Sequence, residues 1–301
     1  MAAFAQASAR MPADLWRRTA TALVLGVVAA AALWAGGVAY YLVVMALFFG
    51  LLWEWDGLTL HGARRRVERV LLNGALWLAI ATLTFQFDIA GIDDPFQAAS
   101  PVRELLFGLD AVLLGVGLFV WLRALRVGVA RGPLWKGAPN PLLPNILWPL
   151  WLAPAAFAAL WLRQDYGIGA LLLPCLAVIA NDVGGYAFGR AIGGPKLAPR
   201  ISPAKTWSGF AGGLLAALAA GLGVAAALGW SITPALALAT LLTAVAGAGG
   251  DLAESALKRG AGVKDSGRLL PGHGGLFDRL DGHVLALPTF ALYLLLQGGP
   301  A

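Results

Sequence analysis

Charged residues are scarce in this sequence. Only 13% of its 301 residues are Asp, Glu, Lys or Arg, whereas an ordinary soluble domain carries about 25%. Hydrophobic residues make up 59% of the chain, and they recur in runs close to the roughly 20 residues that a membrane-spanning helix needs. The composition therefore excludes an ordinary soluble domain and predicts a protein that crosses a membrane several times.

Cysteine is almost absent as well, which excludes a disulfide framework within one chain. The single Cys175 lies in an apolar run and is interpreted as a small buried hydrophobe. The apolar runs also lack the alternation of transmembrane strands, so the predicted fold class is all-α and polytopic. The net charge of +6 is attributed to cytoplasmic loops and anionic lipid headgroups rather than to a nucleic acid partner.

Apolar runs divide the chain into about nine candidate transmembrane helices. They cover residues 19–36, 37–53, 70–87, 104–122, 145–162, 167–189, 209–230, 233–250 and 283–298. Arg10, Arg17 and Arg18 before the first run also fit a signal peptide, but its length and the second run directly after it favour a retained span.

The distribution of positive charge predicts the orientation of these spans. With the N-terminus in the cytoplasm, 20 of the 22 Lys and Arg residues fall inside, and only Arg103 and Arg163 fall outside. Because inside loops of membrane proteins are rich in Lys and Arg, this bias supports the cytoplasmic N-terminus.

One polar cluster lies at the end of the sixth span and a second precedes the seventh. Asn181 and Asp182 end an apolar run, where a carboxylate is costly unless it is paired or faces water. They are interpreted as a metal, substrate or base site, or alternatively as an interfacial Asp paired with the nearby Arg190 or Lys196. Ser202, Lys205 and Thr206 surround a Pro turn and offer donors that suit phosphate oxygens, or they form a basic loop on anionic lipid.

A third, larger cluster occupies residues 249–282, between the last two spans. If its first part is helical, one face carries Asp251, Glu254, Ser255 and Lys258. Asp278 and Asp281 share another face at the entry to the last span. Two helix ends are thus expected to aim three carboxylates at one point. Oxygen ligands without a Cys or His cluster suit a hard cation such as Mg²⁺, which completes its shell with water and substrate phosphates.

At these residues the sequence resembles the phosphatidate cytidylyltransferase (CDP-diacylglycerol synthase) family. The polar positions of that family's signature are filled at the family spacing by Ser255, Lys258, Arg259, Lys264, Asp265, His273, Asp278, Arg279 and Asp281. Asn181 with Asp182, and the stretch from Ser202 to Thr206, also look familial. One position departs from the pattern, because the family often has Glu where this chain has Ser208.

The resemblance implies transfer of CMP from CTP to phosphatidate, with Mg²⁺ and a second cation such as K⁺. It implies that Asp251, Asp278 and Asp281 hold metal and act in catalysis together with Lys258. It further implies that a second group of residues contacts substrate phosphates. That group comprises Ser202, Lys205, Thr206, Ser255, Lys258, Arg259, Lys264, His273 and Arg279. Asn181, Asp182 and Asp265 are second-tier candidates.

This reading divides the chain into N-terminal spans (1–162) and a catalytic region (163–301) with cytoplasmic loops 190–208 and 251–282. It places the active site at the cytoplasmic face of an integral membrane protein, expected in the bacterial inner membrane, with a possible homodimer. Two alternatives remain: a CTP-dependent lipid kinase, which would transfer the γ-phosphate, and a transporter, which should instead carry charges near the bilayer midplane.

Overall fold

The computed structural model describes residues 20, 21, 23–59, 67, 70, 149–270 and 274–299. Within them the chain forms seven helices and one hairpin. The helices are α1 (Leu23–Ala35), α2 (Gly37–Thr59), α3 (Pro149–Asp165), α4 (Gly167–Ile192), α5 (Trp207–Ala227), α6 (Pro234–Gly260) and α7 (Phe277–Gln297). The hairpin strands are β1 (Lys196–Ala198) and β2 (Ser202–Thr206).

Five of these helices, α2, α4, α5, α6 and α7, are long and apolar enough to cross a membrane by length and composition. All seven helices coincide with predicted apolar runs. The predicted span at 104–122 lies outside the described residues, and so does the span at 70–87 apart from position 70. The mostly helical, membrane-spanning class is therefore confirmed, and the count of nine stays a prediction.

The hairpin corrects the expectation of a wholly helical chain. Residues 196–206 pair as two antiparallel strands, with Lys196 opposite Thr206 and Ala198 opposite Ser202. Because Pro203 disfavours the helical region for the residue before it, the segment enters the extended conformation there. Thr206 then begins α5, since its Oγ1 accepts a hydrogen bond from the Gly209 amide at 3.1 Å.

Glycines allow two pairs of helices to cross closely. A Cβ at Gly209 of α5 would lie 2.6 Å from the Gly185 carbonyl oxygen and 3.2 Å from the Gly189 Cα of α4. A Cβ at Gly250 of α6 would lie 2.3 Å from the backbone oxygen of Asp281 in α7. Gly193 instead ends α4 with a positive φ of 70°. The ends of α4 and α6 thus meet at the hairpin, and the start of α7 lies against α6.

An aromatic cluster fixes the start of α7 against the first half of the chain. Trp55 of α2 and Trp151 of α3 each meet the Phe277 ring edge to face, with centroids 5.6 and 5.9 Å away. Phe277 is fully buried. The helices that precede the polar clusters in sequence therefore pack directly against the helix that carries two of the candidate carboxylates.

Candidate active site

A cavity of about 460 Å³ lies where α4, the hairpin, the start of α5 and α6 meet. Its lining includes the polar side chains of Asp182, Arg190, Lys205 and Asp251, together with several glycines and apolar side chains. The first two polar clusters predicted from the sequence and the first carboxylate of the third thus share one cavity.

The ion pair between Lys205 and Asp251 joins the hairpin to α6 at this cavity. The two side chains are 27% and 26% exposed, so the pair is accessible from the cavity. Asp251 also accepts a hydrogen bond from the Ser255 hydroxyl at 3.3 Å, one helical turn further along α6. Asp251 and Ser255 therefore do share one helix face, as the spacing predicts.

Two more carboxylates act on Asp251 electrostatically. Asp182 of α4 and Asp281 of α7 both lie close enough to repel it, and Lys205 attracts Asp182. Arg190, which the sequence offered as a partner for Asp182, donates to the Tyr186 hydroxyl at 2.8 Å. The close crossing at Gly250 explains the approach of Asp281 to α6, and the result is an excess of negative charge around one basic side chain.

Lys258 links α6 to α7 in a less exposed cluster. Its ammonium contacts Glu254 one turn earlier in α6 and lies 2.6 Å from Oδ1 of Asp278. Glu254 is fully buried, and the Lys258 and Asp278 side chains are only 12% and 11% exposed. One ammonium is thus shared by two carboxylates in a nearly dry setting, which is stable only when charges and hydrogen bonds are well matched.

Asp278 is further held by the loop before α7. The backbone amides of Ser266 and Gly275 donate to its Oδ2 at 3.0 and 2.8 Å. With Lys258 on the other oxygen, this carboxylate has its position set by three donors. The predicted convergence of Asp278 with Asp251 and Asp281 is therefore only partly formed, because Asp278 faces Lys258 and the loop.

Position 208 has a bonding role in the structure. The Ser208 hydroxyl donates to the Gly193 carbonyl and lies 3.0 Å from the Thr206 hydroxyl. Thr206, the last residue of β2, is itself buried. Ser208 therefore fastens the end of α4 to the start of α5, at the position where the resembling family often carries Glu.

The remaining predicted residues occupy different environments. Arg259 donates to the Ile201 and Val263 carbonyls at 3.4 and 3.3 Å, which ties the end of α6 to the hairpin turn. Asn181 is buried in α4 and its side chain abuts Gly213 of α5. Ser202 begins β2. Lys264, Asp265 and Arg279 are exposed, and His273 lies outside the described residues.

Sequence reasoning missed two buried acids near the site, Glu54 and Glu254. Glu254 was placed on the right helix face but was given no role, although it completes the contacts of Lys258. Glu54 follows the second predicted span, and its Oε2 accepts from the Ser266 hydroxyl at 2.9 Å. Its only sequence signal was an acid directly after an apolar run.

A divalent cation fits this arrangement by the chemistry of its donors. Among the described residues no group of three or more His, Cys, Asp or Glu side chains is close enough to hold an ion by itself. Mg²⁺, however, is usually bound through one or two carboxylates, with water and substrate phosphates completing its shell. Asp251 lines the cavity, and Asp281 lies close enough to repel it, so the two offer such a pair.

The helices are long enough to cross a membrane, and carboxylates and ammonium groups gather at one end of them. These features define the class of the protein as an integral membrane protein with a site suited to phosphate groups. Comparison with known proteins specifies the class further. A model of the cytidylyltransferase family matches residues 16–297. The chain belongs to the cytidylyltransferase family.

Curated bacterial relatives agree with this assignment. A phosphatidate cytidylyltransferase of Brucella suis biovar 1 (strain 1330) is 35% identical over 290 residues, which cover 93% of both chains. The enzyme of the same name from Mycobacterium tuberculosis (strain ATCC 25618 / H37Rv) is 40% identical over 188 residues, covering 58% of this chain and 57% of the relative. That of Mycobacterium leprae (strain TN) is 47% identical over 128 residues, covering 42% and 41%.

Proposed function

We propose that this protein is a phosphatidate cytidylyltransferase, which transfers CMP from CTP to phosphatidate and yields CDP-diacylglycerol and pyrophosphate. The cavity supports this proposal most strongly, because it gathers Asp182, Lys205 and Asp251 from three separate segments. Relatives that bear this name align over nearly the whole chain.

The surroundings of the cavity suit a lipid substrate. Tyr186, Ile192 and Trp207 next to the cavity are 68%, 67% and 55% exposed. Large apolar side chains exposed beside a polar cavity allow acyl chains to stay in the membrane while the phosphate enters the site. A soluble nucleotide and a membrane lipid can thus meet at one place.

The reaction requires one bond to form and one to break. An oxygen of the phosphatidate phosphate forms a bond to the α-phosphorus of CTP. The bond from that phosphorus to the oxygen bridging the α- and β-phosphates breaks, and pyrophosphate leaves with the electron pair. Little covalent work is asked of the protein, so positioning and charge neutralisation supply most of the catalysis.

The residues are assigned to these tasks as follows. Lys205 and Lys258 neutralise phosphate charge, and Ser202, Ser255 and Arg259 supply further donors. Asp251 and Asp281 would hold Mg²⁺, with Asp278 as a further candidate ligand, and K⁺ would be the second cation. When bound, the metal ions would offset negative charge on the attacking and leaving oxygens. Glu254 keeps Lys258 in place.

The same proposal extends to the arrangement in the cell. It comprises nine spans with a cytoplasmic N-terminus, spans in residues 1–162 and a catalytic region in 163–301. The site opens to the cytoplasm, where CTP is found. The membrane is the bacterial inner membrane, and the tightly packed glycine-rich helices are compatible with a homodimer.

A labelled-substrate assay tests the activity. The purified protein in detergent–lipid micelles is given phosphatidate and CTP labelled at either the α- or the γ-phosphate, with and without Mg²⁺. We expect Mg²⁺-dependent lipid labelling from α-labelled CTP, one pyrophosphate per lipid product, and loss of labelling in Asp278→Asn. Lipid labelling from γ-labelled CTP would indicate the kinase instead, and no labelling from either would refute the proposal.

A further inference from the structure

Glu54 is a buried acid in a helix that carries none of the predicted catalytic residues. It lies in α2 and is only 2% exposed, within a helix apolar enough to span a membrane. An ionisable side chain in such a helix is costly unless other groups satisfy it, and it commonly marks a functional position. The partners of Glu54 therefore indicate what it does.

Both hydrogen bonds of Glu54 go to the segment that carries Asp278. Its Oε2 accepts from the Ser266 hydroxyl at 2.9 Å and from the Phe277 amide at 2.8 Å. Phe277 is the first residue of α7, and the residue before it, Leu276, provides no side-chain cap. Glu54 thus supplies, from a distant part of the sequence, the acceptor that a helix N-terminus needs.

Ser266 passes this constraint on to Asp278. While its hydroxyl donates to Glu54, it also accepts from the Asp278 amide at 3.3 Å. The Ser266 amide donates in return to the Asp278 carboxylate. A continuous chain of hydrogen bonds therefore runs from α2 through Ser266 to the carboxylate that contacts Lys258.

The loop approaches Glu54 so closely that only glycine fits at two of its positions. A Cβ at Gly267 would lie 2.3 Å from Oε1 of Glu54, and one at Gly275 would lie 2.4 Å from Oε2 and 1.9 Å from the Ser266 hydroxyl. Gly275 is also the residue whose amide donates to Asp278. The backbone that positions Asp278 is thus shaped around the Glu54 carboxyl group.

We propose that Glu54 is a positioning residue for the transfer reaction. By accepting hydrogen bonds from Ser266 and from the first amide of α7, it holds Ser266 and the start of α7 so that Asp278 faces Lys258. The inference rests on the proposed function, and it gives α2 a role in catalysis although α2 does not reach the cavity lining. It requires an acceptor at Oε2 rather than a negative charge.

The test compares two variants of Glu54. Glu54→Met keeps the length of the side chain but removes the hydrogen-bond acceptor, whereas Glu54→Gln keeps the acceptor. Tyr40→Phe is the matched control, because the Tyr40 hydroxyl forms another buried hydrogen bond of α2, to the Ala159 carbonyl at 3.0 Å. We expect Glu54→Met to lower kcat about 10- to 100-fold, the loss that small misplacements cause. KM should stay within about threefold, and Glu54→Gln and Tyr40→Phe should keep kcat within about threefold.

Limited trypsin digestion gives a readout that does not depend on activity. Lys264 and Arg268 in the loop are exposed, as are Lys196 and Arg200 in the hairpin. We expect Glu54→Met to accelerate cleavage after the two loop residues and to leave cleavage in the hairpin unchanged. Uniform acceleration at all four positions would mean general destabilisation and would contradict the proposal.

Ser266→Ala keeps the proposal testable if Glu54→Met does not fold. It removes the middle of the hydrogen-bond chain, so kcat should fall while KM stays unchanged. Because both residues belong to one chain, the double variant Glu54→Met/Ser266→Ala should lose no more activity than the worse single variant. Equal losses in Glu54→Met and Glu54→Gln, or normal kcat in both Glu54→Met and Ser266→Ala, would overturn the inference. An inactive wild type would instead refute the proposed function, so the two failures are distinguishable.

Discussion

Replacing Lys258 by Met should unfold the site as well as inactivate it. The ammonium of Lys258 is shared by Glu254, which is fully buried, and by Asp278, which is 11% exposed. Met keeps most of the aliphatic stem but leaves both carboxylates without their counter-charge. Since the environment is nearly dry, neither carboxylate can regain full hydration.

The expected loss follows from this burial. Removing one partner of a buried ion pair typically costs about 3–5 kcal/mol, because an uncompensated charge stays behind. Asp278 keeps its hydrogen bonds to the Ser266 and Gly275 amides, so Glu254 accounts for most of the lost stability. The double variant Glu254→Gln/Lys258→Met should therefore recover part of the lost stability, although not the activity.

Unfolding by SDS in mixed micelles measures these differences. The matched control is Lys205→Met, which removes the lysine that joins the hairpin to α6 and whose pair with Asp251 is about a quarter exposed. An exposed pair contributes only about 0–1 kcal/mol, so this variant should unfold nearly like the wild type while losing activity. If Lys258→Met costs no more than Lys205→Met, Lys258 is not the buried link that the structure shows.

Three further predictions concern the geometry around the cavity. Gly250→Ala should lower stability and activity together, because its Cβ would lie 2.3 Å from the Asp281 backbone oxygen, whereas Gly249→Ala should be tolerated, since its nearest neighbour is 4.0 Å away. Thr233 caps α6 as Thr206 caps α5, since its Oγ1 accepts from the Leu236 amide at 3.1 Å. Thr206→Val and Thr233→Val should each cost about 1 kcal/mol as lost helix caps, but only Thr206→Val, next to Lys205 in the hairpin, should slow transfer. Chelation of Mg²⁺ should abolish labelling. If Asp281→Asn needs a higher Mg²⁺ concentration than the wild type to restore labelling, Asp281 belongs to the cation site.

The apolar pattern predicts the helices well and their polar ends poorly. Helix α6 continues ten residues past the predicted end at 250, and α7 begins at Phe277 rather than at 283. Both extensions consist of charged turns, which a hydropathy criterion treats as loop. They stay helical because their carboxylates and ammonium groups pair with one another at the site.

Long-range contacts could not be predicted from the sequence. The hairpin is missed because strands as short as Lys196–Ala198 carry no apolar alternation. Glu54 is missed because its partners, Ser266 and Phe277, lie 212 and 223 positions away, and no local pattern connects them. By contrast, the face shared by Asp251 and Ser255 follows from helical spacing alone.

The most direct test of the account is the rate at which Asp251→Asn transfers the α-label of CTP to phosphatidate. Asp251 is the carboxylate that lines the cavity and pairs with Lys205. Asp165→Asn, an exposed acid at the end of α3, serves as the control. The account predicts a loss of at least about 100-fold for Asp251→Asn, as for removal of a ligand of the cation that offsets transition-state charge, and none for Asp165→Asn. A folded Asp251→Asn variant with a normal transfer rate would contradict the claim that CMP is transferred at this cavity.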